Sequence, residues 1–173
     1  MPIILLIVST LAFWTLYWFV QMGGIEHFQR RKVARKEEAR RQEAREASRT
    51  APLRAVEDPR DAAAILMVLI ARQNGDPTRE QIAAIEGKLR SVFGFERDLA
   101  ERMTQARFLA RQADSFEQAA AVFAKLFRQK LTRAECDQLI DMLEEIARHD
   151  TPSELQFEAI AAFKPLLGLA PAR

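Results

Sequence analysis

One cysteine, one tyrosine, two histidines and six glycines in 173 residues leave little material for several kinds of protein. A single thiol, Cys136, excludes an internal disulfide framework and any multi-cysteine zinc site. It falls on the apolar stripe of a predicted helix, with no second Cys and no catalytic-type partner nearby, so packing rather than nucleophilic chemistry is expected there. His27 and His149 stand far apart in sequence, and no His-x-x-x-His pair exists. There is no glycine-rich phosphate loop and no nucleophile elbow. No reaction can be read from these residues, and the chain is not expected to be an enzyme. Nor does any alternating run suggest a strand. Abundant Ala, Leu, Glu, Gln and Arg predict an all-α fold.

Charge is also missing from one long stretch. From Pro2 to Met22 no residue is charged, a run of 21 positions dominated by Ile, Leu, Val, Phe and Trp. At about 1.5 Å per residue such a helix spans roughly 30 Å, the thickness of a bilayer hydrocarbon core. Ser9, Thr10 and Thr15 can return their hydroxyls to the helix backbone, and Tyr17 and Trp18 suit the headgroup layer near one end. No basic residue precedes the run and no Ala-x-Ala follows it, so an uncleaved anchor is expected rather than a secretory signal. Residues 1–25 thus read as a transmembrane anchor. Trp14 and Trp18 can line a helix-pairing face, which leaves a homo-oligomer open.

The formal net charge of +2 hides an asymmetry. Residues 26–49 carry nine Lys/Arg against five Glu, a net of +4, whereas residue 50 onward carries 17 Lys/Arg against 19 Asp/Glu, a net of −2. The basic flank Arg30, Arg31, Lys32, Arg35 and Lys36 follows the apolar run, and the positive-inside bias then predicts a short outer amino terminus and a cytoplasmic body. The expected location is the bacterial inner membrane. Residues 26–50 form a charged arm with Glu37–Arg41 at i,i+4 and only small apolar side chains, the pattern of a solvated helical spacer. Its basic cluster can also attract anionic lipid. Nucleic-acid binding is not expected, because no aromatic or amide side chains are interleaved with the arginines beyond Phe28.

Residues 51–173 read as a bundle of about six helices. Asp58-Pro59 supplies an N-cap with Pro at the first helical position, and a helix over 59–73 is apolar nearly all round, which makes it the expected central element. Asn74-Gly75 stops it. Asp76-Pro77 repeats the cap-plus-Pro device and predicts a second helix over 77–92, with Ile82, Ile85, Leu89 and Val92 or Phe93 inward. Helices over 96–112 and 116–129 follow, the latter capped by Asp114 or Ser115. Thr132 with Glu135 is a capping box for a fifth over 133–148. Thr151-Pro152-Ser153-Glu154 predicts the start of a sixth, with Leu155, Ala159, Ile160, Ala162 and Phe163 following. Pro165 should kink or end it.

Two stretches follow one plan. Ile70-Ala71-Arg72, a polar turn, then Pro77-Thr78-Arg79-Glu80 is matched by Ile146-Ala147-Arg148, a polar turn, then Pro152-Ser153-Glu154. The helices after them end alike, at Phe93-Gly94-Phe95 and Leu167-Gly168-Leu169. The domain is therefore expected to be two pseudo-repeated helical hairpins. Their turns are rich in oxygen: Asp76 and Glu80 in the first, His149, Asp150 and Glu154 in the second. Such groups can hold a hard divalent cation, and they equally cap helices and complement the helix dipole. The twelve-residue calcium-loop spacing is absent.

The two turns and the glycine-terminated helices resemble the TerB-like family, which includes tellurite-resistance proteins and the amino-terminal domain of a membrane-anchored co-chaperone. The resemblance covers roughly residues 58–170. It implies an all-helical bundle with acidic turn residues suspected of metal binding. The family's Asp-Gly in each turn is Asn74-Gly75 in one and Asp150-Thr151 in the other, and no His-Pro-Asp motif of a J domain is present. The expected function is a membrane-anchored, cytoplasmic protein-interaction module serving envelope or metal stress. The alternative is a divalent-metal-binding or metal-sensing domain using the turn residues.

Overall fold

Asp58 starts the bundle: its carboxylate accepts a 2.9 Å hydrogen bond from the backbone N–H of Arg60, and Pro59 follows at the first helical position. This is a computed structural model in which residues 50–149 and 152–169 are described. The expected anchor over 1–25 and nearly all of the arm lie outside these residues. The described chain enters as a helical turn over 50–54 and continues into six helices. These are α1 (Pro59–Arg72), α2 (Arg79–Ser91), α3 (Leu99–Gln112), α4 (Phe116–Lys130), α5 (Arg133–Arg148) and α6 (Glu154–Leu166). Among the described residues there is no strand, and no helix is long and apolar enough to cross a membrane.

The all-round apolar pattern of α1 is matched by its place. Every residue from Ala62 to Ala71 is buried, and α1 packs against α2, α3, α4 and α5. A helix surrounded on all sides cannot spare a polar face, which is why charge returns only at its ends, Arg60, Asp61 and Arg72. The other five helices are amphipathic, each with one apolar face toward the core. α6 closes the far side against α4 and α5. There Phe116 and Phe163 meet edge-to-face at 5.9 Å between ring centroids, and Phe127 and Phe163 at 6.1 Å. Such pairs add roughly 0.5–1.5 kcal/mol to the burial itself.

Several helix starts differ from those expected. The N-cap of α2 is Thr78, two residues later than Asp76, and it forms a capping box with Gln81. The N-cap of α6 is Ser153, not Thr151, and its partner is Gln156 rather than Glu154. In both, Pro precedes the cap instead of opening the helix, since its preference for an extended predecessor extends the turn. α3 starts at Leu99 rather than at 96, because Phe95 is buried and holds the chain back in a turn. Pro165 lies in the last turn of α6, which ends one residue later at Leu166. The carbonyl it deprives of a partner is that of Ala161, an exposed residue whose oxygen water can reach.

The ends of α2 and α6 need glycine. Gly94 and Gly168 have φ of 70° and 77°, the left-handed conformation that lets the chain reverse. The amide of Gly94 bonds the carbonyl of Arg90, and that of Leu169 bonds the carbonyl of Lys164. Phe95 and Leu169, just past each glycine, are thereby turned back into the core.

Candidate functional site

The two polar turns sit side by side. Asn74 Nδ2 donates to Gln156 Oε1 at 3.3 Å, and Gln73 Nε2 reaches the carbonyl of Leu155 at 3.5 Å. Gln156 is fully buried, and its Nε2 donates a 2.8 Å bond to the carbonyl of Ile70 in the last turn of α1. Its Oε1 also accepts from the amide of Ser153. One glutamine therefore caps α6, bonds the turn after α1 and ties both to the core helix. In the first hairpin Gln81 has the corresponding place. It is 2% exposed, and its Oε1 accepts from the amide of Thr78 at 3.0 Å. Gln81 and Gln156 were not singled out from the sequence. The signal was present as Thr78-x-x-Gln81 and Ser153-x-x-Gln156, the hydroxyl-to-amide spacing of a capping box.

Around this junction Asp76, Glu80, His149 and Glu154 are all exposed. Glu80 and Glu154 stand in the first turns of α2 and α6, where a carboxylate complements the helix dipole. Asp150 lies outside the described residues, as do Arg30, Arg31, Lys32, Arg35 and Lys36. Among the described residues no group of three or more His, Cys, Asp or Glu side chains comes together as a cation site. One oxygen at the junction is notable. Gln73 Oε1 is buried and accepts no hydrogen bond.

A charged knot occupies the opposite end of α1. Arg102 Nη1 bonds both oxygens of Asp61, at 2.6 and 2.8 Å, while Arg60 pairs with Asp58 at 2.8 Å. The Phe95 ring has both guanidiniums over it, Arg60 at 4.7 Å and Arg102 at 4.2 Å from the centroid. The hydrogen bond from Arg60 holds the Asp58 carboxyl below its ordinary range. Every charge in this knot is answered, which marks it as structural.

Beside it opens a cleft of about 200 Å³ between the start of α1, the end of α2 and α5. Val92, Phe93, Leu131, Leu139 and Met142 line it, with Arg60, Glu135 and Gln138 at its edge. Val92 is 37% exposed, so the floor is apolar and the mouth open to solvent. Glu135 is tied to the Thr132 amide and hydroxyl, bonds that lower its pKa. Cys136, on the same helix, is buried, and burial pushes its thiol pKa up, the direction opposite to activation. No protein-family model matches this chain, and no curated protein or solved structure matches it significantly.

Proposed function

We propose that this chain is a single-pass membrane protein that displays an all-α, TerB-like domain to the cytoplasm, where the domain binds a protein partner in envelope or metal stress. The observation that carries the binding role is the apolar cleft lined by Val92, Phe93, Leu131 and Met142. Its volume suits one or two large apolar side chains from a partner helix. Bundles commonly present their binding sites between helices, with a few polar groups at the rim to orient the occupant.

The family reading is supported by the parallel between α1–α2 and α5–α6. In each pair the first helix ends in a polar turn, and Pro precedes a hydroxyl N-cap. A buried glutamine stands three residues past each cap, and a positive-φ glycine ends the second helix. The anchor reading rests on the uncharged run Pro2–Met22 and its basic flank, which lie outside the described residues.

A photo-crosslinking side chain at Gln138, on the cleft rim, tests the binding role in cells. The expected outcome is a reproducible protein adduct that Val92→Glu abolishes. No reproducible adduct would sink the proposal. Topology is checked by fusing a periplasm-only reporter after Arg173: no activity is expected, and strong activity would overturn the cytoplasmic assignment.

The second reading, a divalent-metal-binding or metal-sensing domain, is favoured by the meeting of the two turns and by the unsatisfied Gln73 Oε1 between them. Asp76, Glu80, His149, Asp150 and Glu154 would be its ligand candidates. Thermal unfolding with EDTA and then with Ca²⁺, Mg²⁺, Mn²⁺ or Zn²⁺ decides it. A ligand bound only by the native state adds about 2.7 kcal/mol at a hundredfold excess over Kd. A shift lost in Asp150→Ala would support a metal site, and no shift with any ion would remove it.

A further inference from the structure

We infer that the face formed by residues 53–57 and α4 docks onto anionic lipid headgroups. A cleft of about 640 Å³ lies there, larger than the cleft beside α5. Its apolar lining comes from Leu53, Val56, Val122 and Leu126. Leu53 is buried and the other three are partly buried, so the surface is shallow rather than a closed pocket. Arg54, Lys125 and Lys130 stand exposed around it, with Glu57 as the acid on the same rim.

The charge is what distinguishes this face. From residue 50 onward the chain carries a net of −2, yet three cations ring one apolar cleft. Some cations of the bundle are answered, Arg102 by Asp61, Lys88 by Glu145 and Lys164 by Glu144. Others, such as Arg107 and Arg111, stand unpaired among the described residues, so what sets this face apart is that its cations gather around one cleft. Arg54, Lys125 and Lys130 form no ion pair among the described residues. Unpaired cations around a shallow, partly buried apolar floor complement an anionic leaflet, where the cations meet the headgroup phosphates. A protein partner of the same chemistry would need an acidic, apolar-faced helix. The leaflet is favoured because residues 53–57 are the first turn of the domain after the basic arm, in a chain that the preceding reading attaches to a membrane. The inference rests on that reading.

The test reads lysine acylation by mass spectrometry on the full chain. The chain is mixed with vesicles of phosphatidylcholine alone or with about one third phosphatidylglycerol. Each cation near an anionic surface changes the docked-to-free ratio about fivefold. Acylation of Lys125 and Lys130 is therefore expected to slow several-fold in anionic vesicles only. Lys88 on α2, paired to Glu145 on α5, is the internal control and should not change. Arg54→Glu, an exposed substitution that leaves the core intact, and high salt should each restore the faster rate. Equal slowing in both vesicle types would overturn the inference. So would slowing that depends on protein concentration without vesicles, which would assign the face to a second copy. Carbonate extraction of the same samples reads the anchor separately, so the two readings fail independently.

Discussion

Gln156 Nε2 donates a 2.8 Å hydrogen bond to the carbonyl oxygen of Ile70, joining residues 86 positions apart in the chain. That bond ties the first turn of α6 to the last turn of α1, and through Asn74 it positions one polar turn against the other. A buried amide of this kind is costly to leave unmatched, so the junction is specified rather than merely tolerated.

Gln156→Ala is therefore expected to lower stability by about 2 kcal/mol, from the lost bonds and the small void left behind. Gln156→Glu separates the donor from the shape. At neutral pH it places a carboxylate against a carbonyl and should cost more than Gln156→Ala. Burial raises the pKa of such an acid, and its protonated form regains a donor. Its stability should hence recover as pH falls toward that raised value. Urea unfolding at two pH values checks both the order and the recovery.

Asp58 and Glu144 set the response to acid. The hydrogen bond from Arg60 holds the Asp58 carboxyl below its ordinary range, and that from Lys164, with a second from Arg148, does the same for Glu144. A depressed folded pKa means that the stabilisation is complete above the unfolded value, about 4 for a carboxylate. It is lost as pH falls through the lower folded value. The melting temperature should be level from neutral pH down to about 5 and drop below about 4. Glu144→Gln should lower stability by about 1 kcal/mol at neutral pH and flatten the acid limb. Scanning calorimetry across this range would expose the opposite slope.

Phe95 is 5% exposed with Arg60 and Arg102 over its ring. Phe95→Ala should cost about 3–5 kcal/mol, the range for a buried aromatic. Arg102→Lys keeps the charge but loses the two-oxygen grip on Asp61, and about 1 kcal/mol is expected. If the lysine variant matched the wild type in urea, the paired geometry would contribute nothing.

Gly94→Ala is expected to cost about 1 kcal/mol. Its φ is 70°, and an added Cβ would meet no atom within 4 Å, so the cost comes from backbone conformation alone. Asn at the same place, more tolerant of left-handed backbone, should cost less, and the two melting temperatures decide the order.

Cys136 should resist thiol reagents in the native protein. Burial raises its pKa, and it is 3% exposed. Labelling by iodoacetamide should speed up with urea in step with unfolding. Rapid labelling without urea would contradict the buried position.

Much of this architecture was legible in the chain. Ala62 to Ala71 has no polar residue, so only a helix buried on every side can hold it, and α1 is that helix. Asp58-Pro59, Thr132 with Glu135, and the glycines at 94 and 168 are local signals whose chemistry acts within a few residues. Where the pattern misled, a polar residue had taken a core place. Leu155 is 61% exposed and Gln156 is buried, the reverse of their hydrophobicity, as Ile82 is only partly buried beside the buried Gln81.

What the sequence determines by itself is the part governed by short-range physics: helical periods, caps, glycine stops and the distribution of charge along the chain. Only the tertiary structure decided that two turns from distant segments would meet, that Arg60 and Arg102 would share Phe95, and that three cations would surround one apolar cleft. Those relationships depend on which carbonyl, ring or carboxylate lies across the bundle. The energy of a buried amide or guanidinium is set by that partner and not by its neighbours in sequence.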